Sequence, residues 1–463
     1  MKKKYVRWTL WTIASPFILF IILCILIYLP PIQNFLVDKA AVYASEATGM
    51  NISVGRISLS FPLNLVVTNV DAASPHNDTL LSVRRLQVNV QLLPLLKKQV
   101  EVDGISLQGA TVNSNDLIHG MRLNGTLGEL FISSHGVALD PETAIVNKVL
   151  LKDTDLSLCL NDTAAADTAA SDPTYWKIIL QDIDLQNVSF ALDMPLDSLS
   201  LAASLDNATL RDGLIDLHKS AYSLQTFRIK NGRVRYDSGR PSATASADSL
   251  SAGLDPSHIA LTDIGVKLDS LYYEGRNMKA VISQFVLKER SGVEIVSTEG
   301  RLVSNDKVLR VPSLKLETRD SYLELNAAMD WDALDFKKEG LVSARLMADI
   351  GKPDVVRFMG SMDEKFIRKY PSEPLRIRTG IDGDLNKLKL TTLTAELPGA
   401  LELFAKGELT SLTDSLLRGG DITLQAETKD LKFISTLAEG IEIPYGTRLE
   451  GKFTMAGTKM GTD

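Results

Sequence analysis

The sequence feature that most constrains this fold is an alternation of apolar residues that changes parity within short segments. Alternation with a period of two indicates β-strands. Four segments share a layout of two alternating apolar residues, a polar or glycine-containing step, and then further alternation at an odd offset. The four segments are residues 104–116, 148–162, 182–194 and 226–239.

An odd offset would place the second set of apolar side chains on the opposite face of a regular strand. A bulge or a tight corner between the two halves returns them to one face. Residues 46–70 have the same construction, with the change of parity around Gly55. We therefore predict strand–bend–strand units that keep one face of a curved antiparallel sheet apolar.

A longer repeat is visible towards the end of the sequence. Residues 313–330 resemble residues 392–409, and the equivalent Leu323 and Leu401 are 78 positions apart. Each copy indicates a hairpin, a strand, a short helix and a further strand, with helices predicted at 353–359 and 431–439. Such repetition is typical of stacked, elongated bodies. The last copy stops early, so we expect the sequence to be the front part of a longer chain or a truncated one.

Residues 8–29 predict a membrane anchor. They form an uncharged stretch of 22 residues, roughly 33 Å long as a helix, against a hydrocarbon core of about 30 Å. The basic cluster at residues 2–7 precedes it, so the N-terminus is expected in the cytoplasm. A cleaved signal peptide is the competing interpretation, but the apolar run is long and no small-x-small site follows it. The residues assigned to the anchor are Trp8, Phe17, Phe20 and Leu29.

These patterns predict a mainly β fold. An N-terminal transmembrane helix precedes an elongated, curved and repetitive antiparallel sheet of groove-like form with a few short helices. We divide the chain into residues 1–30 (stub and anchor), 31–49 (an amphipathic helix that lies on the membrane or caps the first strand), 50–305 (the main β body) and 306–463 (hairpin and short-helix units). The polar stretch 161–174 is predicted to be a long loop within one sheet.

Composition and motifs argue against catalysis and against nucleic-acid binding. The net charge is −7 in spite of the basic N-terminus, whereas nucleic-acid phosphates require a basic face. No histidines are paired at metal-ligand spacing, and the common catalytic motifs are absent. Carboxylates two residues apart, such as Asp153 and Asp155, are interpreted as solvated edge charges. We therefore expect no enzyme, no cofactor and no metal site.

The start of the β body resembles the AsmA-like family, to which TamB belongs. The resemblance is carried by "ATG" (47–49), "MNISVGRISLSF" (50–61), "PLNLVVTNV" (62–70) and the recurring "ISLQGATVNSND" type of segment. It implies a single-pass inner-membrane protein of a Gram-negative envelope with its bulk in the periplasm and an apolar groove. Two functions are implied: conveying phospholipid between the inner and outer membranes, or assisting assembly of outer-membrane β-barrel proteins with an Omp85-type partner.

Under the groove interpretation, phospholipid acyl chains contact the aliphatic and aromatic residues of the bent strands. Alternation alone does not separate such a groove from a dry core between two packed sheets. The candidate lining residues are Ile57, Leu59, Ile105, Leu107, Leu151, Ile183, Leu185, Phe190, Phe227 and Ile229.

Overall fold

The computed structural model describes most of the β body. The described residues are 39, 41–43, 45, 46, 48–60, 64–74, 78–91, 102–114, 120–138, 142–161, 175–239, 253–335, 338, 340–359, 364–384, 386–412, 418–436, 444–456 and 459–462. The predicted anchor, with Trp8, Phe17, Phe20 and Leu29, lies outside these residues and stays a prediction. Among the described residues, no helix has the length and apolar character needed to cross a membrane.

The chain forms two compact units, residues 1–196 and 197–463. The predicted boundary at 305/306 falls inside the second unit, between two strands of one hairpin. Unit 1 consists of strands because its sequence alternates apolar and polar residues over long stretches. Its strands are β1 (Asn51–Ser60), β2 (Asn64–Ala73), β3 (Thr79–Val90), β4 (Val102–Asn113), β5 (Met121–Ala138), β6 (Thr143–Leu160) and β7 (Lys177–Met194).

Unit 2 is an antiparallel meander with short helical insertions. Its strands are β8 (Leu199–Asp216), β9 (Ala221–Leu224), β10 (Thr226–Ser238), β11 (His258–Glu274), β12 (Asn277–Glu289), β13 (Glu294–Ser304), β14 (Val308–Thr318), β15 (Tyr322–Asp330), β16 (Val342–Ile350), β17 (Leu375–Gly383), β18 (Lys387–Leu397), β19 (Leu401–Thr410), β20 (Gly419–Thr428), β21 (Arg448–Ala456) and β22 (Lys459–Thr462). The helices are α1 (Lys352–Phe358) and α2 (Glu364–Lys369), with 3-10 turns at Trp331–Leu334 and Ile434–Thr436. The predicted mainly β fold with few short helices is thus confirmed.

One strand pair departs from the predicted antiparallel arrangement. β6 and β7 are parallel, with Thr143 opposite Lys177 and Cys159 opposite Asp193, a constant offset of 34 residues. A parallel pair needs a long return connection instead of a tight turn. The polar stretch 161–174 stands between these two strands in the sequence; residues 162–174 lie outside the described part, so the predicted loop stays a prediction, whereas the predicted antiparallel arrangement is wrong for this pair.

The predicted bends are present at a left-handed residue in each of the four segments. Gly109 has φ 62°, Asp153 φ 49°, Asn187 φ 50° and Asn231 φ 51°. Gly55 faces Asn69, whose φ is 52°. Glycine, asparagine and aspartate are the residues that adopt this conformation most readily. The step in each segment is therefore a backbone kink encoded by residue type.

The kinks do not require the predicted bulge in unit 1. Pairing on the two sides of Asp153 keeps one register, because Leu127 faces Thr154 and Glu129 faces Lys152. Lys152 and Asp153 are both exposed, whereas Thr154 is buried, so the alternation of faces skips one position at the kink. Neighbouring strands kink at the same level, and the register is preserved. A register shift next to a kink does occur in unit 2, between β10 and β11.

The helices of unit 2 cover one end of the strands and form a small core there. Phe366 of α2, Tyr370 and Phe433 pack edge to face or tilted, with ring centroids 5.1 to 5.9 Å apart. The helix predicted at 353–359 is present as α1, and α2 was not predicted. The helix predicted at 431–439 is wrong in type over its described residues, where only a 3-10 turn forms; residues 437–439 lie outside the described part.

The predicted helix at 31–49 is described only near its C-terminal end. Residues 39–48 include several helical positions. Ser45 Oγ accepts a hydrogen bond from the Ile52 backbone amide at 3.0 Å. This contact supports the interpretation that the segment caps the first strand.

Candidate functional site

The candidate site in unit 1 is a sheet face built from apolar rows that run across the strands. Directly opposite residues of neighbouring strands place their side chains on the same face. On one side of the kinks, two rows cross all seven strands and contain seven of the predicted lining residues. The first row is Leu59, Leu65, Val88, Ile105, Ile132, Val149 and Ile183; the second is Ile57, Val67, Leu86, Leu107, Leu130, Leu151 and Leu185.

Two further apolar rows lie on the other side of the kinks. They include Phe190, an eighth predicted lining residue, whose side chain is exposed. The third row is Val54, Val70, Val83, Ala110, Leu127, Thr154 and Val188; the fourth is Ile52, Ala72, Leu81, Val112, Gly125, Leu156 and Phe190. We call the four rows together the apolar face of unit 1.

The residues between the third and fourth rows are polar, whereas those between the first and second rows are mixed and include Val66, Phe131 and Leu150. Between the third and fourth rows, a row of hydroxyl and carboxylate side chains crosses the same strands: Ser53, Asp71, Ser82, Thr111, Thr126, Asp155 and Ser189. Ser82 Oγ donates to Asp71 at 2.6 Å, and Ser189 Oγ donates to Asp155 at 2.8 Å. Since alternate residues point to opposite faces, these hydrogen bonds lie on the face opposite to the apolar rows.

The apolar face of unit 1 is not covered by a second layer in the described part of the chain. The extensive contacts of its strands are with their hydrogen-bonded neighbours. Leu107, Leu151 and Leu185 are half-buried, as are most members of the rows, whereas Ala72, Val83 and Thr154 are buried. Residues of a dry sheet-on-sheet core would be buried almost completely. This arrangement favours an open apolar surface over a dry core among the described residues.

The two remaining predicted lining residues, Phe227 and Ile229, lie on β10 in unit 2. Both are half-buried. Phe227 belongs to a predominantly apolar row that crosses unit 2, which we call the long apolar row. Its members are Leu210, Phe227, Leu268, Ile282, Gly300, Leu314, Leu325, Leu346, Thr379, Leu393, Ala405, Leu424 and Gly451.

No protein-family model matches the chain, and no curated protein matches it.

Sequence reasoning missed most members of these rows. Val88, Ile132 and Leu130 were not assigned, although β3 and β5 alternate as clearly as the strands that were assigned. Alternation shows which residues of a strand share a face, whereas register shows which strands contribute to a row. Aligning the strand sequences at their kink residues would have identified the missing members of the rows.

Chemical groups near the apolar faces make structural contacts. Asn187 Nδ2 donates to Asp153 Oδ1 at 2.9 Å, so this carboxylate supports a kink. His258 Nδ1 lies 3.0 Å from Asp255 Oδ2 in an exposed turn. The pKa of Asp255 is lowered mainly by the hydrogen bond from the Ser257 backbone amide, and next by the hydrogen bond with the His258 side chain. The described residues contain no group of His, Cys, Asp and Glu side chains that could hold a metal ion.

An uncovered face of aliphatic side chains can bind other apolar groups by removing both surfaces from water. Each buried methylene contributes about 0.8 kcal/mol. The rows of unit 1 offer almost only hydrocarbon, with Thr154 as a polar member, so they supply no charged group that would select a headgroup. The chemistry that the site supports is therefore binding of hydrocarbon chains or of other apolar strands.

Proposed function

We propose that the protein carries phospholipid acyl chains on its apolar faces, as a membrane-anchored periplasmic member of the AsmA-like family. In this proposal residues 8–29 hold the chain in the inner membrane of a Gram-negative envelope, and the β body conveys lipid between the inner and outer membranes. The observation that carries the proposal is the apolar face of unit 1, continuous over seven strands and uncovered among the described residues.

The energetic argument concerns the cost of exposing a lipid to water. A sixteen-carbon chain in water costs on the order of 12 kcal/mol, at about 0.8 kcal/mol per methylene. A surface of Leu, Ile and Val side chains removes part of that cost at each position along the route. The rows cross every strand of unit 1, so a chain lying along a row meets hydrocarbon from one strand to the next.

Photo-crosslinking in the membrane-embedded full chain tests the proposal. A photoreactive amino acid replaces Leu107 or Leu151 on the apolar face, and the matched controls replace the exposed neighbours Gln108 and Lys152. We expect phospholipid adducts at the two leucine positions and none at the controls. Equal labelling at all four positions, or no lipid adduct at the leucines, would overturn the proposal.

The same experiment separates the second implied function, a scaffold that assists assembly of outer-membrane β-barrel proteins. A scaffold binds partner strands through hydrogen bonds and alternate side-chain pockets. Adducts with protein in place of lipid at Leu107 would therefore replace the lipid proposal with the scaffold proposal. An Omp85-type partner would then be sought among the crosslinked proteins.

A further inference from the structure

An exposed pair of tyrosines lies at one end of the strands of unit 2. Tyr222 of β9 and Tyr273 of β11 are opposite each other in register, and their rings stack with centroids 6.1 Å apart. Their relative exposures are 40% and 42%. Leu224 and Leu271, two residues away along each strand, form the adjacent pair. The tyrosines therefore share a face with these leucines and mark the point where that face meets water.

The aromatic surface continues onto the neighbouring strands. Tyr273 faces Met278 of β12, and Met278 faces Ser304 of β13. Trp331 Nε1 donates to Ser304 Oγ at 3.2 Å and to the Asn305 backbone oxygen at 2.8 Å. These contacts fix the indole at the same end of the sheet.

A cation lies over that indole. The Arg276 guanidinium, in the turn between β11 and β12, is 5.5 Å from the centroid of the Trp331 ring. We call Tyr222, Tyr273, Arg276 and Trp331 the aromatic rim. Its side chains combine an apolar body with a polar group, the composition found where proteins meet the headgroup level of a bilayer.

Two more cations lie in turns at this end of the strands. Lys219 is in the turn between β8 and β9, and Lys307 is in the turn between β13 and β14. Lys219, Arg276 and Lys307 make no ion pair with any described residue, whereas Lys338, in the next loop, is paired with Asp332 at 3.0 Å. Acidic groups also lie near the rim. They are Asp216, which accepts from the Lys219 backbone amide, Asp332 beside Trp331, Asp306 beside Lys307, and Glu274, which accepts from Tyr272 on the opposite face.

We propose that the aromatic rim and its two flanking lysines hold the headgroup of an anionic phospholipid whose acyl chains lie on the apolar side of unit 2. The inference rests on the proposed function. Tyrosine hydroxyls and the indole suit the boundary between hydrocarbon and water, and unpaired cations attract an anionic headgroup. The rim thereby gives unit 2 a preference for anionic lipid.

Lipid binding by the detergent-purified full chain tests this inference. The probes are fluorescent phosphatidylglycerol, which is anionic, and fluorescent phosphatidylcholine with the same acyl chains, which is zwitterionic. The test variant combines Lys219→Ala, Arg276→Ala and Lys307→Ala. The control is Arg310→Ala, because Arg310 is exposed on the opposite face and pairs in register with Val303.

We expect the wild type and the control to prefer phosphatidylglycerol. The triple variant should lose that preference by about tenfold or more, given that each cation near a lipid surface contributes roughly fivefold. Its binding of phosphatidylcholine should be unchanged, which shows that it remains folded. Salt should reduce the preference in the wild type and not in the triple variant.

Two other outcomes overturn the inference in distinguishable ways. Equal preference in the wild type and the triple variant refutes the headgroup role and leaves acyl-chain binding standing. Failure of the wild type to bind either lipid refutes the proposed function and the rim together.

Discussion

Asn187 donates a hydrogen bond from Nδ2 to Asp153 Oδ1 at 2.9 Å, across the parallel pair of β6 and β7. Both residues have φ near 50°, and they occupy equivalent positions of two repeat segments. The hydrogen bond therefore joins two kinks at one level of the sheet. A shared level is what allows apolar rows on both sides of the kinks to continue from β6 to β7.

Asp153→Val is expected to destabilise this region, because a β-branched side chain disfavours positive φ. The variant also loses the hydrogen bond from Asn187. We expect a loss of about 2 to 3 kcal/mol in the free energy of local opening, measured as faster amide hydrogen exchange in β6 and β7. Asp153→Gly is the control, since glycine adopts the same backbone at little cost. Slow exchange in the valine variant would show that the kink does not depend on residue type.

Gly407→Ala is expected to separate β19 from β20. A Cβ at this position would lie 2.1 Å from the Asp421 backbone oxygen and 2.7 Å from Ile422 Cα, so the backbone itself must move. We expect a lower thermal midpoint and faster hydrogen exchange in these two strands. Gly104→Ala is the control, because Gly104 also lies in a strand and its Cβ would stay 3.2 Å from the nearest atom, the Ile132 backbone oxygen. A greater effect at Gly104 than at Gly407 would contradict the close approach of β19 and β20.

Asp354 attaches α1 to the hairpin between β14 and β15. Its side chain is fully buried; it accepts from Thr318 Oγ1 and from Ser321 Oγ, the latter at 2.6 Å. Arg357 Nη1 donates to it at 3.0 Å. Asp354→Ala leaves these donors without their acceptor, and we expect a loss of about 2 to 4 kcal/mol, measured by urea unfolding.

The control for this prediction is an exposed carboxylate with a cationic partner. Asp332 pairs with Lys338, and both side chains are more than half exposed, so Asp332→Ala should cost less than about 1 kcal/mol. Asp354→Asn should fall between the two, because it keeps an acceptor and loses the charge. Equal stability of the Asp354→Ala and Asp332→Ala variants would refute the role of Asp354.

Tyr370 should make the small core of unit 2 sensitive to alkali. Burial raises the pKa of Tyr370 above the usual 10.0, because the interior disfavours the phenolate. The folded-state pKa is thus above the unfolded value. The contribution of the neutral Tyr370 phenol to the stability of the fold is therefore fully present below about pH 10 and is lost as the pH rises through the folded-state pKa.

The Tyr370→Phe variant should lose less stability than the wild type between pH 9 and about pH 11, the range set by the usual tyrosine pKa. Unfolding at each pH, followed by circular dichroism, measures the difference. Tyr445→Phe is the control, since Tyr445 is 78% exposed. Parallel pH profiles for the wild type and the Tyr370 variant would show that the phenol is not held in its neutral form by burial.

The sequence by itself determined the strands, the apolar face of each strand and the places where the strands bend. Those properties depend on residues near one another in the chain: alternation assigns a face, and Gly109, Asp153, Asn187 and Asn231 favour the left-handed backbone that changes parity. For the same reason the strand-like segments around Leu107 and Leu185 were predicted correctly.

The tertiary structure alone decided how the strands combine. The parallel pairing of β6 with β7 and the membership of Val88 and Ile132 in the apolar rows depend on register between segments distant in sequence. The joining of Tyr222, Tyr273 and Trp331 into one rim likewise depends on turns that meet at one end of the sheet. Periodicity carries no information about register, because shifting one whole strand leaves its own pattern unchanged; hydrogen bonding and side-chain packing between strands fix it.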